Sequence, residues 1–196
     1  MSQRGELPRL IGMLTWFIRR KIAAYENTYG YDLTYAREIL ATDFGAFMRL
    51  GKITNAIGWH RDVPLPVYYG AKLTATVAED CGPCTQLIVT LALADKVDPA
   101  IVRAIVAGDL DAAGDAALGI RFARGVLAHS TEADDPRAEI ERRWGSRAVL
   151  SCAYALCAAR FFPTLKYALG HGHACQQVVV AGSTVQPRRA QLRVAS

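Results

Sequence analysis

The chain has 196 residues, a length that suits one compact domain or one domain with an extension. Its apolar fraction is 52%, so we expect part of the apolar surface to be buried between the subunits of a homo-oligomer. The net charge of +5 comes largely from the two ends and not from a basic stripe with aromatic base readers, which argues against nucleic-acid binding. No continuous apolar stretch reaches the roughly 20 residues that cross a bilayer, and the first residues do not resemble a secretory signal, so we expect a cytoplasmic protein without a membrane partner.

Apolar residues recur at steps of three and four along most of the chain, a spacing that predicts helices. A first helix is expected from Pro8 to a turn at Asn27–Tyr31, and a second runs from about Tyr35 to Ile57. A break rich in proline follows at 61–66.

The remaining helices are expected in the middle of the chain. Asp98 followed by Pro99 gives the clearest start, a capping residue before a proline in the first turn. Only Gln177–Ala181 hints at a strand, and one strand cannot form a sheet alone. The predicted helices are Val67–Ala78, Pro83–Ala94, Asp98–Ala107, Leu110–Ala128, Asp134–Trp144, Ala148–Phe161 and a short one from Pro163 to Gly170. The fold class is therefore all-α, with an N-terminal helical extension over 1–62, a helical core over 66–176 and a flexible basic tail over 182–196.

Two of the five cysteines, Cys81 and Cys84, form a CxxC, which in a reducing compartment serves redox chemistry or metal binding. The second cysteine falls in the first turn of a predicted helix, where free N–H groups and the helix dipole favour a thiolate. The close spacing lets one thiol resolve a sulfenic acid or a mixed disulfide on the other. Cys152 and Cys157 lie on an apolar helix, and we expect both to be buried and inert.

The string Cys-Gly-Pro-Cys also occurs in thioredoxin, but a thioredoxin requires a hydrophobic strand before the motif. Here a predicted helix and two acidic residues precede it. The stretch Ala71–Val97, with AEDCGPCTQL at 78–87 followed by LALADKVDP at 91–99, instead resembles the core motif of the AhpD-like proteins, which belong to one superfamily with the carboxymuconolactone decarboxylases. The likeness covers roughly residues 66–130.

This resemblance implies an AhpD-like helical bundle that forms a homo-oligomer. In peroxidase members the second cysteine attacks peroxide and the first resolves it, which would make Cys84 the nucleophile and Cys81 the resolving thiol. Those members carry a histidine four residues after the second cysteine and a glutamate twelve residues before the first. Here these positions hold Ile88 and Tyr69, so the usual proton relay is missing. Decarboxylase members do not use the cysteine pair, and lactone decarboxylation finds no support.

Replacement acid–base groups must come from elsewhere. Tyr69 could hydrogen-bond a thiolate, and Glu79 could act as an acid–base group, although it also suits an ordinary helix cap. His173 could supply the missing base. The cluster around it, His171, His173 and Cys175, could also complete a zinc site with the cysteine pair, or form no more than a polar turn after a helix.

Three functions remain open on the sequence alone. The first is a thiol–disulfide oxidoreductase or alkylhydroperoxidase-like protein that uses the CxxC, takes a peroxide or disulfide substrate and is regenerated by an unidentified thiol reductant. It needs no bound cofactor and no metal. The second is a small zinc-binding protein, and the third is a helical oligomer that has lost catalytic activity.

Overall fold

The computed structural model describes residues 6–173 and 177–188. These residues form nine α-helices and one two-stranded sheet, which confirms the all-α prediction. The helices are α1 (Glu6–Tyr29), α2 (Thr34–Thr42), α3 (Phe44–Ile57), α4 (Leu65–Ala78), α5 (Gly82–Ala94), α6 (Pro99–Ala107), α7 (Ala116–Leu127), α8 (Asp134–Trp144) and α9 (Ser146–Ala168). The strands are β1 (Val178–Val180) and β2 (Ser183–Val185).

The chain divides into two compact units, residues 1–53 and 54–196. The sequence pattern predicts a division after residue 62 instead. The segment between these positions contacts α9 of the second unit, since the Trp59 ring lies 5.9 Å from that of Tyr154 and the Arg61 N–H donates to the Ser151 hydroxyl at 2.7 Å.

In the first unit, Glu26 near the end of α1 connects that helix to α2. Its carboxylate pairs with Arg37 and accepts the Leu33 N–H at 2.9 Å. The single helix predicted from Tyr35 to Ile57 is wrong, because the backbone is extended at Asp43 and divides it into α2 and α3. The Asp43 carboxylate accepts the N–H of Ala46, which is how an N-terminal capping residue starts a new helix.

The second unit is arranged around α4, which packs against α5, α6, α7 and α9. Where α4 crosses α7, the two backbones touch. A Cβ on Gly70 would lie 2.5 Å from the Ala116 carbonyl oxygen, and one on Gly119 would overlap the carbonyl oxygen of Val67. Only glycine lacks this atom, so these two residues permit the close crossing.

Two buried apolar clusters cover opposite sides of this crossing. One lies among α4, α5, α6, α7 and the hairpin, and it includes Leu73, Val89, Ile120, Val178 and Val180. The other lies among α4, α7, α8 and α9, and it includes Val67, Phe122, Ile140, Cys152 and Leu156. Both clusters share α4, so that helix is buried on most of its circumference.

The C-terminal strand has a partner that the sequence pattern does not predict. β1 and β2 pair antiparallel, with Val178 opposite Val185, so the tail expected from residue 182 is wrong for residues 183–185. Residues 189–196 lie outside the described part of the chain. Ala181 and Gly182 both have positive φ, as tight hairpin turns require. Alanine is unusual at such a position, so the sequence does not predict this turn.

Two predicted helix boundaries are also wrong. α7 begins at Ala116 and not at Leu110, because the Asp109 carboxylate accepts the N–H groups of Asp111 and Ala112 and forms a turn. α9 continues through Pro163, whose ring is fully buried, although proline removes one helical hydrogen bond.

The continuous α9 is longer than any apolar stretch expected from the sequence, in which Pro163 divides it. Among the described residues it is the one helix that has the length and apolar composition to cross a bilayer. Its residues Cys152, Ala155 and Leu156 are buried in the second unit. Core helices pass the same test of length and composition.

The crossing of α4 and α7 generates a stability prediction. We expect Gly119→Ala to lower the free energy of unfolding by about 1–3 kcal/mol, because the added methyl group forces the two backbones apart. Gly51→Ala in α3 is the control, since no atom lies within 4 Å of its Cβ position and alanine suits a helix better than glycine. Urea unfolding followed by circular dichroism measures both. Equal midpoints for the two variants would contradict the close crossing.

Candidate active site

Cys81 and Cys84 form a disulfide at the start of α5, with their Cα atoms 5.2 Å apart. Cys81 is the N-cap residue of the helix and Cys84 lies in its first turn, with Gly82 and Pro83 between them. The predicted place of the CxxC at a helix start is therefore confirmed. The two cysteines are only 0% and 4% exposed. A thiol or phosphine from solution must therefore displace part of the protein before it reaches either sulfur.

The C-terminal end of α9 and the residues after it contact the backbone on both sides of Cys81. The Tyr167 hydroxyl donates to the Asp80 carbonyl at 2.9 Å, and the Gly82 N–H donates to the His173 carbonyl at 3.0 Å. A Cβ on Gly172 would overlap the Tyr167 ring, so a larger residue there would have to displace that ring. We call residues 167–173 the covering segment.

Besides the core packing of Val178 and Val180, the hairpin is hydrogen-bonded to the first half of α5 by the Gln86 side chain. The Gln86 amide nitrogen donates to the Val179 carbonyl at 3.0 Å, and its amide oxygen accepts the Val179 N–H at 2.8 Å. The side chain thus pairs with β1 as a neighbouring strand would. Neither Gln86 nor Tyr167 stands out in the sequence. Their partners lie 93 and 87 residues away and are main-chain groups, which every residue carries.

The predicted acid–base groups near the pair occupy different positions. The main chain of His173 contacts the start of α5, but its side chain is exposed. Glu79 at the end of α4 forms an ion pair with Arg160 of α9 at 2.9 Å. Cys175 lies outside the described residues.

Tyr69 is not brought to the cysteine pair. Its side chain is 3% exposed, and its hydroxyl donates at 2.5 Å to the carboxylate of Asp95, the residue that follows α5. The pair lies at the other end of this helix, which at 1.5 Å per residue is about 20 Å long. Ile88, at the position of the family histidine, packs against the apolar core.

The remaining described cysteines differ from each other. Cys152 is buried as predicted, and burial raises the pKa of its thiol to about 12. Cys157 is exposed, so the prediction of a buried thiol is wrong there. Five residues turn a helix by about 500°, which places the two side chains roughly 140° apart around α9.

Two further features of the described residues bear on ligands. No three histidine, cysteine, aspartate or glutamate side chains gather in a geometry that would hold a metal ion. A groove of about 680 Å³ is lined by residues of α7 and α8 and the turns beside them. In that groove Arg143 forms ion pairs with Asp115 and Glu139, so the charges of these three side chains largely compensate one another.

Comparison of the chain with protein-family models, with curated proteins and with solved structures finds no match. The AhpD-like resemblance therefore stays a prediction.

The burial of the cysteines predicts an order of alkylation. In the native protein without reductant, we expect iodoacetamide to label Cys157 quickly and Cys152 at least tenfold more slowly, because a buried thiol with a raised pKa forms little thiolate. Cys81 and Cys84 should be labelled only after reduction. Peptide mass spectrometry measures each site, and rapid labelling of Cys81 or Cys84 without reductant would contradict the disulfide.

The attachment of the hairpin predicts how quickly the disulfide is reduced. We expect Gln86→Ala to accelerate reduction by dithiothreitol about two- to fivefold, because it removes two exposed hydrogen bonds between α5 and β1 while the buried Val178 and Val180 still hold the strand in the core. Thr90→Ala, one turn later on α5, is the matched control, since its hydroxyl bonds only to the Gln86 carbonyl of its own helix. Equal rates in Gln86→Ala and the wild type would mean that the sulfurs are reached by another route.

Proposed function

We propose that the chain is a thiol–disulfide oxidoreductase whose redox centre is the Cys81–Cys84 pair. The observation that carries the proposal is the position of the disulfide, which joins the N-cap of α5 to its first turn. When the pair is reduced, a thiolate there lies at the positive end of the helix dipole. That environment lowers the pKa of a thiol and activates it for exchange.

The reaction begins with the reduced pair and a substrate disulfide. The Cys84 thiolate attacks one substrate sulfur and releases the other as a thiolate, which leaves a mixed disulfide on Cys84. The Cys81 thiolate then attacks the Cys84 sulfur, releases the second substrate thiolate and forms the disulfide. A dithiol reductant regenerates the pair by the reverse sequence. The choice of Cys84 as the attacking thiol follows the AhpD-like resemblance, and membership of that superfamily is part of the proposal.

A disulfide substrate suits the surroundings of the pair better than a peroxide does. Peroxide cleavage needs a group that gives a proton to the departing oxygen. Glu79 is engaged with Arg160, and Tyr69 bonds to Asp95 at the far end of α5. Exchange between sulfurs releases a thiolate and makes less demand on such a group.

The proposal includes a homo-oligomer. Four large apolar side chains on α1 support it, because each is between 43% and 56% exposed; they are Met13, Leu14, Trp16 and Phe17. Apolar surface of this kind on one helix is typical of an interface between proteins.

The reduction potential of the pair tests the proposal. We expect equilibration with dithiothreitol or glutathione buffers to give a potential between about −120 and −270 mV, the range of disulfide oxidoreductases. A potential below about −300 mV would identify a structural disulfide and overturn the proposal. A metal site would replace the proposal if the reduced protein holds stoichiometric zinc and a chelator both removes the zinc and makes the two thiols reactive.

Trapping of the mixed disulfide assigns the roles of the two thiols. The variants are made in a background in which Cys157 and Cys175 are serine, so that other thiols do not form mixed disulfides. We expect Cys81→Ser to retain glutathione on Cys84 after incubation with oxidised glutathione, because no second thiol resolves it. Glutathione retained only in Cys84→Ser would reverse the roles, and none in either variant would contradict exchange at this pair.

A further inference from the structure

We propose that Lys72 and Tyr68 form a second reactive centre, in which the lysine amine condenses with a small aldehyde and the phenol transfers the protons. Both residues lie on α4, one turn apart. Their neighbour Asp95 follows the last residue of α5, whereas the cysteine pair lies at the start of that helix. The second centre is therefore separate from the proposed redox site.

The geometry holds the amine and the phenol together. Lys72 Nζ donates to Tyr68 Oη at 3.1 Å and lies 5.1 Å from the centre of the same ring. The ring is 2% exposed, His60 stacks on it at 4.6 Å, and Tyr69 contacts it edge-on at 5.2 Å. The phenol thus has a fixed position, whereas Lys72 and His60 are half-buried, so part of each residue reaches the surface.

The titratable groups that contact the pair or act on it through their charge are Tyr69 of α4, Asp95 after α5, His60 before α4 and Cys152 of α9. The charge of the Asp95 carboxylate acts on Lys72, and the same carboxylate accepts the Tyr69 hydroxyl. A carboxylate at the C-terminal end of a helix is disfavoured by the dipole, and the nearby ammonium offsets this.

Burial sets the protonation states that condensation needs. It lowers the pKa of Lys72 to about 8, despite the opposing effect of Asp95, and it raises the pKa of Tyr68 to about 12. Near pH 7.5 about one amine in four is then neutral, compared with about one in a thousand for an ordinary lysine. The phenol stays protonated and can donate.

The proposed step conserves atoms and charge. The neutral Lys72 amine attacks the aldehyde carbon, and its nitrogen passes a proton to the new alkoxide to give a carbinolamine. The Tyr68 phenol protonates the hydroxyl group, which leaves as water. The phenolate then takes the remaining proton from nitrogen. Amine and aldehyde have become imine and water, and Tyr68 is a phenol again.

Reductive alkylation of the full-length wild-type chain tests this proposal. The probe is propionaldehyde with cyanoborohydride, and mass spectrometry gives the rate at each lysine between about pH 6 and pH 10. We expect Lys72 to react at least tenfold faster than the exposed Lys52 and Lys96 at neutral pH, with a midpoint near 8. A rate at Lys72 equal to or below that of Lys96 across the whole range would overturn the proposal.

A variant separates the phenol's role from the amine's. Tyr68→Phe keeps the ring that stacks on His60 but removes the proton donor. We expect the limiting rate at high pH to fall several-fold at Lys72 and to stay unchanged at Lys96. An unchanged limiting rate at Lys72 would overturn the role of Tyr68. Replacement of both Cys81 and Cys84 by serine should leave the Lys72 rate unaltered, and a loss there would contradict the independence of the two centres.

Discussion

The backbones of α4 and α7 touch where they cross, because Gly70 and Gly119 present no side chain there. This contact positions α4, and α4 carries or adjoins the residues of both proposed centres. Its last residues lead through a turn at Asp80, which has positive φ, into the cysteine pair. Its first turns carry Tyr68 and Lys72. A shift of α4 along α7 would therefore displace both ends of α5 relative to their partners.

The two ends of α5 offer opposite electrostatic environments. The start of the helix favours an anion, and the thiolate is the form in which a thiol enters disulfide exchange. The other end favours a cation, and the Asp95 carboxylate acts there in the same direction on Lys72, but burial outweighs that attraction and lowers the pKa of the amine. Between the two ends the helix is apolar, with Val89 and Ala92 fully buried. One apolar helix thus separates two polar sites.

The sequence predicts most helices because apolar periodicity and capping residues are local, and the Asp98 cap illustrates this. It predicts the CxxC at a helix start for the same reason. The failures have physical causes that are not local: buried packing carries α9 through Pro163, and pairing with β1 orders residues after Gly182. The contacts of Tyr167 and Gln86 are to distant main-chain groups, which leave no trace in side-chain chemistry.

A buried disulfide at a helix start raises the question of what controls its exchange. If the pair is redox-active, the observed rate is the intrinsic rate of sulfur exchange multiplied by the fraction of molecules in which a sulfur is accessible. We expect the contacts of the covering segment and of Gln86 to set that fraction, and the helix dipole to set the intrinsic rate. The two factors act on different atoms, since the contacts bind main-chain groups beside the pair and the dipole acts on the sulfurs. Substitutions that loosen the contacts therefore change the rate in both directions of exchange equally, and they alter the reduction potential only if the contacts differ in strength between the oxidised and reduced states.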